Sequence, residues 1–229
     1  MAEFVGLRET KKARTRLAIS DAATQLFVAR GFDEVTVAEI AEAADVSIKT
    51  VFNYFTTKED LFFDRAEELI AGLERTVADR PAGVTVAGSL HALLADNLVP
   101  FAGAGWRGLH DPTGYERFQA FLATEHASPA LRARRLVVSY DWTLRLASAI
   151  ARALGLRDGD TRAETFAAMV MAAMGVRERA LSAAMFSGAS ARTVERRVRA
   201  AVDESFDRIA RAFADVDQPA SATSPAAVE

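Results

Sequence analysis

Two lysines stand where a cation is out of place. In "VSIKTVFNYFTTKEDLF", Val46–Phe62, Lys49 and Lys58 each fall in the first turn of an expected helix. At that end the helix dipole favours an anion by roughly 0.3–1 kcal/mol. A bound anion removes the conflict, because free N–H groups at a helix start beside a lysine suit a phosphate. Two such points flanking a short exposed helix suit the backbone of a nucleic-acid duplex. The competing reading is two ordinary solvated surface lysines. Between them Lys49 and Asn53 lie four residues apart and share one helix face, with Ile48 and Phe52 beside them, while Val51 and Phe55 make the buried stripe.

The surrounding elements are legible from their caps. Val37, Ile40, Ala41 and Ala44 give a short helix with one apolar stripe, and Thr36 with Glu39 forms a capping box that starts it. Ser47 caps the next helix after a turn of about three residues, which forces a steep crossing. Thr57, with Asp60 three residues on, caps a third start. Upstream, Arg8, Lys11, Lys12, Arg14 and Arg16 face a single acid, Glu9, and form a basic arm able to reach adjacent phosphates. Acids still outnumber bases over residues 1–62, so any binding face is local.

The chain of 229 residues has a net charge of −3 and no cysteine. It can bury a full core. No apolar run reaches the length of a membrane span, no secretory signal pattern opens the chain, and the lack of cysteine fits a reducing cytoplasm. Glycine and proline separate long segments of helical spacing, which predicts an all-α fold with helices over 10–30, 36–43, 47–54, 58–79, 84–98, 114–125, 129–154, 160–187 and 191–214. The expected organisation is a flexible arm over 1–9, a helix-turn-helix domain over 10–62 with its motif at 36–55, a larger helical regulatory and dimerisation domain over 63–214, and a disordered tail over 215–229.

The stretch "LAISDAATQLFVARGFDEVTVAEIAEAADVSIKTVFNYFTTKEDLF" resembles the DNA-binding domain of the TetR family of one-component transcriptional regulators. The coincidence of "LFVARGF" with Gly31 ending a helix, Thr36 opening the second, "VS" before "TVFNYF", and "TKEDLF" opening the fourth makes the resemblance specific. It implies a three-helix N-terminal domain, phosphate contacts from Thr36, Tyr54 and Lys58, and a recognition helix opened by Ser47. On that helix Lys49, Thr50 and Asn53 would face bases, and Ile48 and Phe52 would touch thymine methyls. The chain departs from the family pattern at Asp45, where glycine is usual, at Phe52, where tyrosine is usual, and at Ala38, where some members carry a longer polar side chain. Aspartate tolerates the left-handed turn.

Beyond residue 58 the resemblance is architectural. Phe166, Val170, Met174, Leu181 and Met185 form one apolar stripe, and Val194, Val198, Val202, Phe206, Ile209 and Phe213 another. The pair is expected to build half of a four-helix dimer interface, with intrachain core as the alternative. Phe101, Trp106, Tyr115, Phe118, Phe121, Tyr140, Trp142, Met169 and Met171 gather in the middle. Trp106, Phe118, Phe121, Tyr140, Trp142 and Met171 are the candidate lining of a cavity for a small hydrophobic or aromatic effector, against the alternative of a packed core. The loop "PFAGAGWRGLHDPTGY" is long enough to serve as a pocket mouth. His91, His110 and His126 lack metal-ligand spacing, so no metal or cofactor is expected, and the absence of nucleophile-elbow, P-loop, dinucleotide and cysteine motifs argues against an enzyme. These readings converge on a homodimeric, sequence-specific DNA-binding regulator, a ligand-responsive repressor binding operator DNA. The rival is a helical carrier of hydrophobic ligands with a vestigial helix-turn-helix.

Overall fold

The computed structural model describes residues 6–64, 66–96 and 105–218. Eleven helices run in order among them: α1 (Leu7–Arg30), α2 (Val37–Ala43), α3 (Ile48–Tyr54), α4 (Lys58–Phe62), α5 (Ala66–Ala78), α6 (Val86–Asp96), α7 (Gly105–His110), α8 (Pro112–Ala127), α9 (Pro129–Ala153), α10 (Thr161–Phe186) and α11 (Ala191–Ala212). No strand occurs among the described residues, and no helix there is long and apolar enough to cross a membrane.

The helices divide into two compact units. The first comprises residues 1–66 and 116–136; the second comprises 67–115 and 137–229. The first unit therefore takes in most of α8 and the start of α9, segments that sequence order alone groups with the regulatory part. Its core is built from Ile19, Phe27, Phe32, Val35, Ile40, Val51, Phe55, Leu61, Phe62 and Leu131. Phe62 stacks on Phe121 with ring centroids 4.4 Å apart. In the second unit α11 packs against α10, α6 and α7. Phe166 stacks on Phe213 at 4.4 Å, and the buried carboxylate of Asp217 accepts the N–H groups of Val86 and Ala87 at 2.7 and 2.8 Å, capping α6 from the far end of the chain.

Several boundaries differ from expectation. The helix expected over 58–79 is two, α4 and α5, broken after the cap at Phe63. The long loop "PFAGAGWRGLHDPTGY" holds a helix, α7, in its described part. Trp106 is buried there and its indole N–H donates to the Ala95 carbonyl at 3.1 Å, so tertiary docking outweighs the glycines. Asp111 and Pro112 then open α8: the Asp111 carboxylate accepts the Gly114 N–H at 2.8 Å and proline takes the first helical position. Residues 100–104, with Phe101, lie outside the described residues. The tail expected from 215 begins with ordered chain, since Asp217 is the α6 cap; 219–229 lie outside the described residues. Of the arm over 1–9, residues 7–9 belong to α1, and 1–5 lie outside the described residues.

Candidate nucleic-acid interface

Each short helix of the first unit starts where its cap says. The Thr36 hydroxyl accepts the Glu39 N–H at 3.3 Å, and Glu39 Oε2 accepts the Thr36 N–H and hydroxyl, both at 2.7 Å. Arg30 adds an ion pair to Glu39 Oε1 at 2.7 Å. The Thr36 backbone N–H, then its hydroxyl, then Arg30 hold the Glu39 carboxyl well below the usual glutamate range, at about 2. Asp45 makes the turn into α3 with φ of 53°, the left-handed conformation that aspartate tolerates. Ser47 Oγ accepts the Thr50 N–H at 3.0 Å, and the Ser47 and Thr50 hydroxyls share a hydrogen bond at 2.8 Å. Thr57 and Asp60 complete a second capping box on α4.

This framework turns one face of α3 inward and leaves the other open. Val51 and the cap residue Phe55 are buried. Lys49 and Asn53 are exposed, and beside them Ile48 and Phe52 leave 46% and 53% of their surface accessible. A seven-residue helix projecting a cation, an amide and two apolar side chains from one side can offer hydrogen-bond donors, an acceptor and methyl contacts to a major groove. Ser47 is exposed; Thr50 and Tyr54 are half-buried.

The cations around it are less free than the sequence implies. Lys58 is half-buried. Its ammonium donates to the Phe32 and Val35 carbonyls at 2.8 and 2.9 Å and lies 4.2 Å from the centroid of the Phe32 ring, so it ties down the α1–α2 connection. Two of its three protons are committed there. Thr36, a second of the three expected phosphate contacts, gives its hydroxyl proton to Glu39. Arg16, placed by sequence in the basic arm, pairs with Asp64 at 2.5 Å instead. Lys11, Lys12 and Arg14 are exposed along α1. No spacing rule announces the partners of Lys58 and Arg16, because each lies more than 20 positions away.

The residues expected to line one effector cavity are divided. Phe118 and Phe121 belong to the first unit, with ring centroids 6.4 Å apart and Phe121 against Phe62. Trp106, Tyr140, Trp142 and Met171 belong to the second. Among these Trp106 is buried and Tyr140 is 65% exposed, while Trp142 and Met171 are half-buried. The expected dimer seam also needs correction. Phe166, Val170, Leu181, Val198, Val202, Phe206 and Ile209 are all buried within a single chain, and Met174 is half-buried. The stripes of α10 and α11 face each other, and α6 covers α11 from another side, so these side chains form interior rather than contact surface.

The model for bacterial regulatory proteins of the tetR family matches residues 19–64. The HTH-type transcriptional regulator TcmR of Streptomyces glaucescens is 36% identical over 78 residues, 34% of this chain and 34% of TcmR. LuxR of Vibrio harveyi, also an HTH-type transcriptional regulator, is 36% identical over 76 residues, 30% of this chain and 37% of LuxR. The match thus spans well under half the length of these curated relatives. Among solved structures, GusR of Salmonella enterica shares the fold at a TM-score of 0.50 and 18% identity, over 86% of this chain and 94% of GusR. The capped helices α2 and α3 and the left-handed turn at Asp45 all fall inside the matched segment, and residues 19–64 form a domain of the tetR family of bacterial regulatory proteins.

Proposed function

We propose that the protein is a homodimeric, sequence-specific DNA-binding regulator that represses its target promoter from the cytoplasm and is released by a small hydrophobic or aromatic effector. The observation that carries this reading is the open face of α3, where Lys49 and Asn53 stand exposed between Ile48 and Phe52 over a buried Val51. Apolar side chains of that size left half in water on a helix capped at its start by Ser47 suit contact with thymine methyls, and Asn53 suits the paired donor and acceptor of adenine. Lys49 supplies a phosphate or guanine contact. The third proton of Lys58 remains for a phosphate.

Two copies are needed to read a two-fold operator, with recognition helices roughly 34–36 Å apart. Since the apolar stripes are interior, the dimer surface is assigned to the outer face of α10, where Ala168, Ala172, Val176, Ala183 and Phe186 are exposed at helical spacing. The effector is assigned to the second unit, where Tyr140, Trp142 and Met171 offer aromatic and sulfur surface that is not fully enclosed.

The test is selection of duplex fragments from a random library by the purified full chain. The expected outcome is an enriched inverted repeat bound with strong salt dependence. Failure to enrich any sequence refutes the regulator and leaves the ligand carrier. Effector control is read from tryptophan emission: a hydrophobic ligand should quench it and release the selected DNA over the same concentration range, and DNA must weaken ligand binding by the same factor.

A further inference from the structure

Arg16 belongs by sequence to the basic arm of α1, yet its guanidinium turns into the first unit. Its Nε donates to Asp64 Oδ1 at 2.7 Å and its Nη2 lies 2.5 Å from the same oxygen. Its Nη1 donates to the Tyr54 carbonyl at 3.3 Å, and the guanidinium carbon sits 4.6 Å from the centroid of the Phe55 ring. Tyr54 is the last residue of α3 and Phe55 its cap. The Asp64 side chain is almost wholly buried, while that of Arg16 remains half in solvent. One planar side chain therefore joins α1, the end of the recognition helix and the turn after α4.

A seven-residue helix does not hold itself, so its attitude depends on what grips each end. Ser47 grips the start from within the local sequence. At the other end Val51 and Phe55 bury apolar surface, a contact without fixed direction. The directional contact there is Arg16, one residue from Asn53. We infer that Arg16, held by Asp64, is a positioning residue for sequence recognition and not a phosphate contact. It sets the end of α3 so that Lys49 and Asn53 reach base edges together. Arginine suits this place because its planar fork fixes the directions in which N–H groups reach the carboxylate and the carbonyl, whereas an ammonium's donors rotate about a single point charge.

The inference rests on the proposed DNA-binding function, and one experiment separates the two. Affinity for the selected duplex and for a random duplex is measured over a range of salt for the full-length wild type and for Arg16→Ala, Arg16→Lys and Asp64→Asn, with thermal melts to confirm folding. Positioning predicts that all three variants lose about five- to a hundredfold on the selected duplex, the span of one base contact. Random-duplex affinity should not fall, and the salt slope should not change. Asp64→Asn is decisive because it removes an acid yet should still weaken specific binding, and with Arg16→Lys it carries the test should Arg16→Ala fail to fold. Equal loss on both duplexes for Arg16→Ala with the slope reduced by about one ion per subunit, or tighter binding to both by Asp64→Asn, makes Arg16 a phosphate contact and overturns the inference. A wild type that prefers no sequence overturns the regulatory reading as well.

Discussion

The two units are held by contacts of different range. In the first, helix starts are set by partners three residues apart: Thr36 with Glu39, Ser47 with Thr50, Thr57 with Asp60. In the second, where Asp160 and Ser190 cap α10 and α11 locally, the packing of helices is set by partners far apart in the chain. Asp217 caps α6, Arg145 of α9 reaches Glu67 at 2.7 Å and Glu74 at 2.6 Å on α5, and the Tyr115 hydroxyl donates to the Ala189 carbonyl at 2.8 Å. A polar cap names its own partner, because geometry allows few others. An apolar stripe does not, since any apolar face will cover it.

The largest expected effect tests that contrast within α10 and α11. Placing aspartate at both Val198 and Phe206 puts charge into the interior and should abolish cooperative unfolding, at a cost of several kcal/mol, as read by circular dichroism. Aspartate at both Ala172 and Val176, on the exposed face, should leave the melt nearly unchanged and yield monomer in sedimentation. A folded monomer from the first pair would return the interface to the buried stripes.

Next in size is Asn53→Ala. It should relax preference at particular base positions by roughly 1–3 kcal/mol and leave random-duplex affinity intact, measured by competition binding. Lys58→Ala should instead melt at lower temperature as well as bind all DNA more weakly, since its ammonium holds the Phe32 and Val35 carbonyls. A variant that binds weakly with unchanged melting would assign Lys58 to phosphate alone.

Ser47→Ala removes the cap of α3 and should lower stability by about 1 kcal/mol in urea titration, with a larger proportional loss in specific DNA affinity. The smallest effect is acid sensitivity. Glu39 titrates at about 2, below the ordinary 4.5. A carboxyl with a depressed folded-state pKa contributes stability that is complete above the unfolded value and fades as pH falls from about 4.5 toward 2. Glu39→Gln should flatten this limb of the stability profile. An identical acid limb in the variant would remove Glu39 from the account.

How far the sequence reaches is visible in particular residues. The helix α3, its cap at Ser47, the turn at Asp45 and the outward face carrying Lys49 and Asn53 are legible, because each follows from spacing within one or two helical turns. The helix expected from 114 is α8, and its start lies two residues earlier, where Asp111 caps it and Pro112 takes the first helical position. Arg16 carried no such signal: a basic residue among basic residues reads as solvated until Asp64 is brought beside it.

The sequence by itself determined where α2, α3 and α4 begin, which side chains α3 offers outward, and the family to which that domain belongs. It also determined that α10 and α11 each carry an apolar stripe. Only the tertiary structure decided that these stripes meet inside one chain, that Phe121 packs on the core of the first unit with Phe118 beside it, and that Arg16 and Lys58 are turned toward protein partners. The reason is range: the caps at Thr36, Ser47 and Thr57 act over three residues and are written locally, whereas a cap such as Asp217 and the burial of a stripe depend on which distant segment arrives.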